Sequence, residues 1–324
     1  MGGDFAPTHV VAGALEALQE SDGRFSILLV GRREKIQQEL DKCSSGQTCT
    51  VVDAREVITM EDAPNAALKT KKDSSITVGI TLHRDGKADA FVSAGNTGAV
   101  MSASTLILGR LEGIGRPTIG ALIPTEQAPC LLIDAGANVD SRPRHLFEFA
   151  VMGSVYVSSM LGTKNPRVGM LSIGEEESKG NEASLEACRL LKESRLNFVG
   201  NIEGRDLLKG NVDVAVCDGF VGNILLKFGE SVPAFLKARF TAYAKTGILN
   251  TLIVLVARRG MRAVMRDLDY QEHGGVPLLG INGVSIIGHG RSTPKAIKNM
   301  IYRAEDMVTR DVNAHIQEAL LNYA

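Results

Sequence analysis

Several features that would settle this chain's chemistry on their own are missing from it. The five cysteines, Cys43, Cys49, Cys130, Cys188 and Cys217, are odd in number and show no Cys-x-x-Cys spacing. That argues against a disulfide framework and for a reduced, cytoplasmic protein, with Cys130 and Cys217 placed in apolar, strand-like runs. There is no Gly-x4-Gly-Lys-Ser/Thr, and no Gly-x-Gly-x-x-Gly follows a strand-like run, so P-loop and dinucleotide-binding chemistry are disfavoured. Without a Gly-x-Ser-x-Gly elbow, a serine-hydrolase route to acyl transfer lacks its nucleophile. The six histidines show no metal-ligand spacing, so neither a metal nor a cofactor is expected. No apolar run reaches the roughly 18 residues of a spanning helix, and no signal-peptide pattern precedes the first helical segment. With 36 basic and 37 acidic residues the net charge is −1, which argues against bulk nucleic-acid binding.

What is present is a soluble composition, 44% apolar and 23% charged over 324 residues, long enough to bury a large core. Four apolar runs end in short turns rich in glycine, asparagine or acidic residues. They are Ala90 to Ala94 into Gly95-Asn96-Thr97-Gly98, Leu131 to Ile133 into Asp134 to Asn138, Gly169 to Ile173 into Gly174-Glu175-Glu176, and Val212 to Cys217 into Asp218 to Asn223. A helical pattern follows each. Strands alternating with helices predict a doubly wound α/β fold with a mostly parallel sheet. Among the helices expected are 8–20, 32–41, 63–83, 100–111, 142–161, 182–194, and almost everything from Phe220 to about Leu268. No linker or repeat divides the chain, so residues 1–324 are expected to form one catalytic unit, with 220–270 a helical protrusion. Met1-Gly2-Gly3-Asp4 reads as a turn ahead of a helix. Such a turn ordinarily follows a strand, so a strand is expected ahead of Met1, the start being a truncation or an internal methionine.

An open parallel sheet binds ligands outside the carboxyl ends of its strands, and glycine turns at helix starts suit an anion. Phosphate is therefore the expected occupant. Lys179, Asn181, Asn223 and Lys227 are the candidate side-chain donors, with Lys179 and Asn223 closest to the chemistry. Asn223 and Lys227 are four apart and share one helix face. Gly95, Asn96, Thr97, Gly98, Asn138, Asp218 and Gly219 complete the expected phosphate site. His289, in Gly288-His289-Gly290-Arg291-Ser292, is either a general acid or a residue hydrogen-bonded in place.

The segment 247–268 carries a second signal. Ile248, Leu249, Leu252, Ile253 and Val256 fall on a broad apolar arc, with Arg258, Arg259, Arg262 and Arg266 on the other side. That is the pattern of a helix lying on an anionic membrane surface, or of a core or dimer helix with a basic outer face. Leu249, Leu252, Ile253 and Val256 are the expected membrane contacts.

Together these stretches resemble the bacterial phosphate acyltransferases of phospholipid synthesis, the PlsX type. The matching runs also include Lys179-Gly180-Asn181, Gly274 to Gly280 and Ile286 to Gly290, in one order along almost the whole chain. The resemblance implies a homodimeric enzyme related to phosphate acetyltransferases and the isocitrate-dehydrogenase-like fold. It implies transfer of a fatty acyl group from acyl carrier protein to inorganic phosphate, the acyl phosphate then serving a membrane glycerol-3-phosphate acyltransferase. Such a protein would be cytoplasmic and peripherally membrane-associated. Arg142, Arg144, Lys295 and Lys298 are candidates for docking an acidic carrier protein. Two alternatives stay open at this point: a short-chain phosphotransacylase using coenzyme A, and a non-catalytic membrane-surface scaffold.

Overall fold

The computed structural model describes residues 1–43, 49–266 and 274–323. Ten strands and eleven α-helices follow one another along these residues. Helix α1 (Thr8–Glu20) leads into β1 (Leu28–Gly31), α2 (Arg33–Asp41) and β2 (Thr50–Asp53). Then come α3 (Pro64–Thr70), α4 (Ser75–Arg84), β3 (Ala90–Ser93) and α5 (Thr97–Ala103), which runs on into a π-helical turn at Ser104–Leu108. Next are β4 (Thr118–Ile123), β5 (Cys130–Ile133), α6 (Pro143–Leu161), β6 (Arg167–Leu171), α7 (Glu182–Glu193), β7 (Asn197–Ile202) and β8 (Val214–Val216). The chain continues through α8 (Gly219–Ala244), α9 (Ile248–Arg266), β9 (Val276–Leu279), β10 (Val284–Ile287), α10 (Pro294–Thr309) and α11 (Val312–Tyr323).

The expected α/β architecture is present, and the details differ where local chemistry overrides periodicity. The single helix expected over 63–83 is two. Ser74 accepts a hydrogen bond from the Thr77 N–H and so caps α4, which starts a new helix after Lys71. The long helical stretch after residue 219 breaks at Gly247 into α8 and α9. The expected end of that stretch, near Leu268, lies outside the described residues.

Eight strands form one sheet in the order β3-β10-β9-β4-β5-β8-β6-β7, and β1 pairs with β2 in a separate parallel pair. Most neighbours are parallel, but β9 is antiparallel to both β10 and β4, and β4 is antiparallel to β5. Polarity therefore reverses across the middle: β3 and β10 run one way, and β5, β8, β6 and β7 the other.

Helices cover both faces. Val92 packs into a core with Ile297 and Met300 of α10, whereas its neighbour Phe91 points to the other face and meets Gly79 of α4. Helix α6 brings Phe147, Phe149, Met152 and Tyr156, all buried, onto Leu131, Ile133, Val168 and Val214 of the parallel half. Helices α8 and α9 pack chiefly on each other. Within α8 only Gly219 and Gly222, at its very start, are buried.

Candidate active site

Three adjacent parallel strands, β5, β8 and β6, end side by side, and their turns carry most of the expected site. Asp134, fully buried, organises the first turn. Its carboxylate accepts the N–H groups of Gly136 (3.0 Å), Ala137 (2.6 Å) and Asn138 (2.8 Å), and also the Asn138 side-chain Nδ2 (2.8 Å). Burial pushes the Asp134 carboxyl up, and those four donors oppose the rise. Asn138 Nδ2 donates as well to Pro117 O at 2.9 Å, and the Asn138 carbonyl accepts the Gly219 N–H at 2.8 Å. The turns after β5 and β8 thus interlock.

That interlock explains the glycines. A Cβ on Gly219 would lie 2.7–3.0 Å from the Asn138 backbone, and one on Gly222 would collide with Asp134 O. Gly136, at φ +129°, stands against Asn223: a Cβ there would lie 3.2–3.3 Å from the Asn223 side chain. Asp218 caps α8 by accepting the Val221 N–H at 2.8 Å. Asn223 is exposed in the first turns of α8, and Lys227 lies one turn on, as its spacing requires. Lys227 is not an open cation, because its Nζ pairs with Glu230 at 2.8 Å.

The third turn follows β6. Lys179 is exposed, and its backbone is fixed by Ser172 Oγ and Asn201 Nδ2, both donating to its carbonyl at 3.1 Å. Asn181 Oδ1 caps α7 by accepting the Ser184 N–H at 2.8 Å. Its Nδ2 has no partner among the described residues and remains a donor.

The turns after β3 and β10 form a second group. Asn96 is buried. Its Oδ1 caps α5, and its Nδ2 donates to Thr59 O (3.0 Å) and Asp62 O (3.1 Å). Gly95 N–H donates to Ser93 Oγ, and Gly98 packs on Pro64. Thr97 and His289 are exposed. His289 Nδ1 accepts the Arg291 N–H at 3.2 Å, and its carbonyl accepts from Ser292.

These contacts correct three expectations. Asn96 and Asn138 are buried clamps whose polar atoms are spent on loop backbone, so they position the site and do not offer side-chain donors to phosphate. The turns do not share one edge of the sheet, since the reversal at β9 and β4 puts Gly95 and Asp218 at opposite ends of the ladder. The proposed carrier-docking cations also divide. Arg142 and Arg144 begin α6 beside the Asp134 turn, whereas Lys298 lies on α10; Arg144 pairs with Glu148 and Lys298 with Glu20.

Asp134 is the residue that sequence reasoning missed. An aspartate closing a buried strand before Ala-Gly-Ala-Asn is the signal that could have found it, because such a carboxylate can fold the next turn around itself.

A family model described as "Fatty acid synthesis protein" matches residues 1–315. The phosphate acyltransferase of Heliobacterium modesticaldum is 49% identical over 320 residues, covering 98% of this chain and 95% of its own. That of Chlorobaculum tepidum is 46% identical over 330 residues, covering 99% and 100%. Among solved structures, a phosphotransacetylase from Streptococcus pyogenes aligns with a TM-score of 0.60 at 17% identity, covering 95% of this chain and 91% of that one. A branched-chain phosphotransacylase from Enterococcus faecalis aligns at 0.58 and 14%, covering 95% and 96%. At such identities these two establish the fold alone. Near-full-length identity approaching one half establishes more: this chain belongs to the phosphate acyltransferase family.

Proposed function

We propose that this chain transfers a fatty acyl group from acyl carrier protein to inorganic phosphate, giving acyl phosphate for a membrane glycerol-3-phosphate acyltransferase. The observation that carries this is the exposure of Lys179 and Asn223 at the ends of adjacent strands, Lys179 held by Ser172 and Asn201 and the Asn223 turn by the Asp134–Asn138–Gly219 interlock, in a chain 49% identical to a phosphate acyltransferase. A phosphate oxygen attacks the thioester carbonyl carbon. The new C–O bond forms, the C–S bond breaks through a tetrahedral oxyanion, and the phosphate proton passes to the departing thiolate. Phosphate is already a nucleophile, so no serine or cysteine need become acylated. The protein's task is to hold phosphate against charge repulsion, align it and stabilise the oxyanion. Lys179 serves as a mobile point charge for phosphate, and Asn223 and Asn181 as neutral donors.

The carrier reading gains from the rest of the surface. Residues 231–266 contain seven Lys or Arg and no Asp or Glu. In α9, Leu249, Leu252, Ile253 and Val256 are all exposed, Val256 at 84%. The side chains of Arg259, Arg262 and Arg266 lie outside the described residues. A basic hairpin with bare apolar side chains suits peripheral contact with an anionic membrane, where a long-chain product is handed on. A homodimer would double that contact.

Comparing donors tests the substrate class. Long-chain acyl carrier protein should react with a kcat/KM well above that of the matching acyl coenzyme A. Equal or better use of short-chain acyl coenzyme A would favour the phosphotransacylase reading.

A further inference from the structure

The loop that carries Lys179 is gripped from the neighbouring strand by a single amide. Asn201 of β7 donates through Nδ2 to two carbonyls at once, Glu176 O at 2.8 Å and Lys179 O at 3.1 Å. Those carbonyls belong to the first and last residues of a turn that the Lys179 N–H closes by donating to Glu176 O at 3.0 Å. A clasp on both ends of a turn fixes how far it can open. Carbonyls only accept, so the amide atom that faces them is Nδ2, and Oδ1 is turned the other way. There it accepts from the Cys188 thiol of α7 at 3.3 Å. Both polar atoms of Asn201 are thereby committed, and Cys188 sets which way round the amide sits.

The strand is bent in a way that aims this side chain. Side chains alternate along a strand, so residues three apart ordinarily face opposite sides of a sheet. Phe198 and Cys188 both pack on the core that α6 and α7 share, yet Asn201 reaches Cys188 on that same side. The register shows why. Phe198 pairs with Val168, but Gly200, not Val199, pairs with Gly169. Val199 is the extra residue of a bulge, which shifts the alternation by one. Gly200 follows at φ +98°, where a Cβ would meet nothing within 4 Å, so glycine serves the backbone there and not the packing. Beyond the bulge Ile202 packs into the core on the opposite face. Glu175 and Glu177 also tie the loop, to Arg205 at 3.4 Å and Lys192 at 2.6 Å, but both pairs are exposed and hold weakly.

We propose that Asn201, oriented by Cys188, is a positioning residue for acyl transfer: it holds the Glu176–Lys179 turn so that the Lys179 ammonium meets phosphate. This rests on Lys179 being a phosphate ligand. A lysine is a point charge on a flexible stem, so its reach is defined only as well as its backbone is. The stem starts against Gly174, where a Cβ would lie 3.0 Å from Lys179 Cγ. Asn201 itself touches neither phosphate nor the thioester, and its effect passes through the lysine. A shift of about 1 Å in a group that orients a reactant is enough to slow the reaction.

A double-mutant cycle, with long-chain acyl carrier protein as donor and phosphate varied, tests this. Asn201→Asp keeps the shape of the side chain but sets a carboxylate oxygen against two carbonyls, so the turn loses its clasp. In the parent it should lower kcat/KM for phosphate by on the order of tenfold, with Tm near that of the parent. In the Lys179→Ala protein the same change should cost less than about twofold, because the group it positions is gone. Cys188→Ala leaves the strand intact and frees the amide to turn over, and should show the same dependence on Lys179. Cys188→Ser, which keeps a donor, should retain more activity than Cys188→Ala. Equal losses in both backgrounds would overturn the proposal, since a merely structural role acts whatever stands at position 179. So would a parent-like Asn201→Asp beside an impaired Lys179→Ala. A parent-like Lys179→Ala is a different failure: it removes Lys179 from the phosphate site, and the role of Asn201 with it.

Discussion

Asn138 and Asn223 look alike in the sequence, each an asparagine in a glycine-rich turn, and their contacts separate them. Asn138 satisfies a buried carboxylate and two turns at once, so Asn138→Ala should cost stability, about 2 kcal/mol in urea unfolding. Asn223 and Lys179 are exposed and bear little of the fold. Lys179→Ala and Asn223→Ala should each lower kcat by on the order of 10²-fold while Tm stays near that of the parent. A parent-like kcat in both would remove them from the chemistry. The glycines were legible because only close backbone approach explains Gly219 and Gly222. The donor's direction was not, since a sequence does not say whether an asparagine faces its own turn or solvent.

A second residue pair sets an acid limb of stability. Burial pushes the Asp213 carboxyl up, but Arg167 outweighs it. Its backbone N–H (2.7 Å) and guanidinium (3.0 and 3.1 Å) donate to both carboxylate oxygens, leaving the carboxyl below the ordinary 3.8. A carboxyl depressed in the folded state stabilises fully above its unfolded value and loses that contribution as pH falls through the folded one. Asp213→Asn should therefore lose about 1–2 kcal/mol at pH 7 and show a shallower decline below about pH 4. Urea titrations between pH 2 and 7 measure both. An unchanged acid limb would mean that the pair is screened by solvent.

At the scale of elements, long periodic stretches were the readable ones: α1, α6, α7 and the strands β5, β6 and β8 fall where periodicity puts them. Strand β9 was not readable, because Val276-Pro277-Leu278-Leu279 is short and carries a proline, which ordinarily marks an edge. It nevertheless lies centrally. Pro277 is paired with Ile286 of β10, and the ladder to β4 stops at Leu278. One unrecognised strand hid the reversal of polarity, and with it the division of the turns into two groups. Helix α9 gives the prediction that belongs to this scale. Each basic residue near an anionic leaflet contributes about 1 kcal/mol, and apolar burial adds roughly 25 cal/mol per Å2. Leu252→Glu with Val256→Glu should release the protein from anionic vesicles in a flotation assay and leave turnover on soluble substrate intact. Loss of solubility or of turnover in the double variant would place the helix in a core or dimer interface.

For the molecule as a whole, the fold supplies three parallel strand ends, an interlock that fixes two of their turns, and a pair of helices, α8 and α9, packed chiefly on each other. The doubly wound class was legible from alternation alone. The spatial grouping of the loops required the ladder, because strand order and polarity are long-range properties that no local pattern encodes. The most direct measurement of the central claim follows the acyl carbon. Acyl carrier protein bearing a long chain labelled with 13C at the carbonyl is mixed with the protein and inorganic phosphate, and 13C and 31P spectra are recorded together. A carbonyl signal coupled to phosphorus, growing in step with free carrier thiol and only when phosphate is present, is the predicted result. Unchanged thioester, or release of free fatty acid without an acyl phosphate signal, would contradict it.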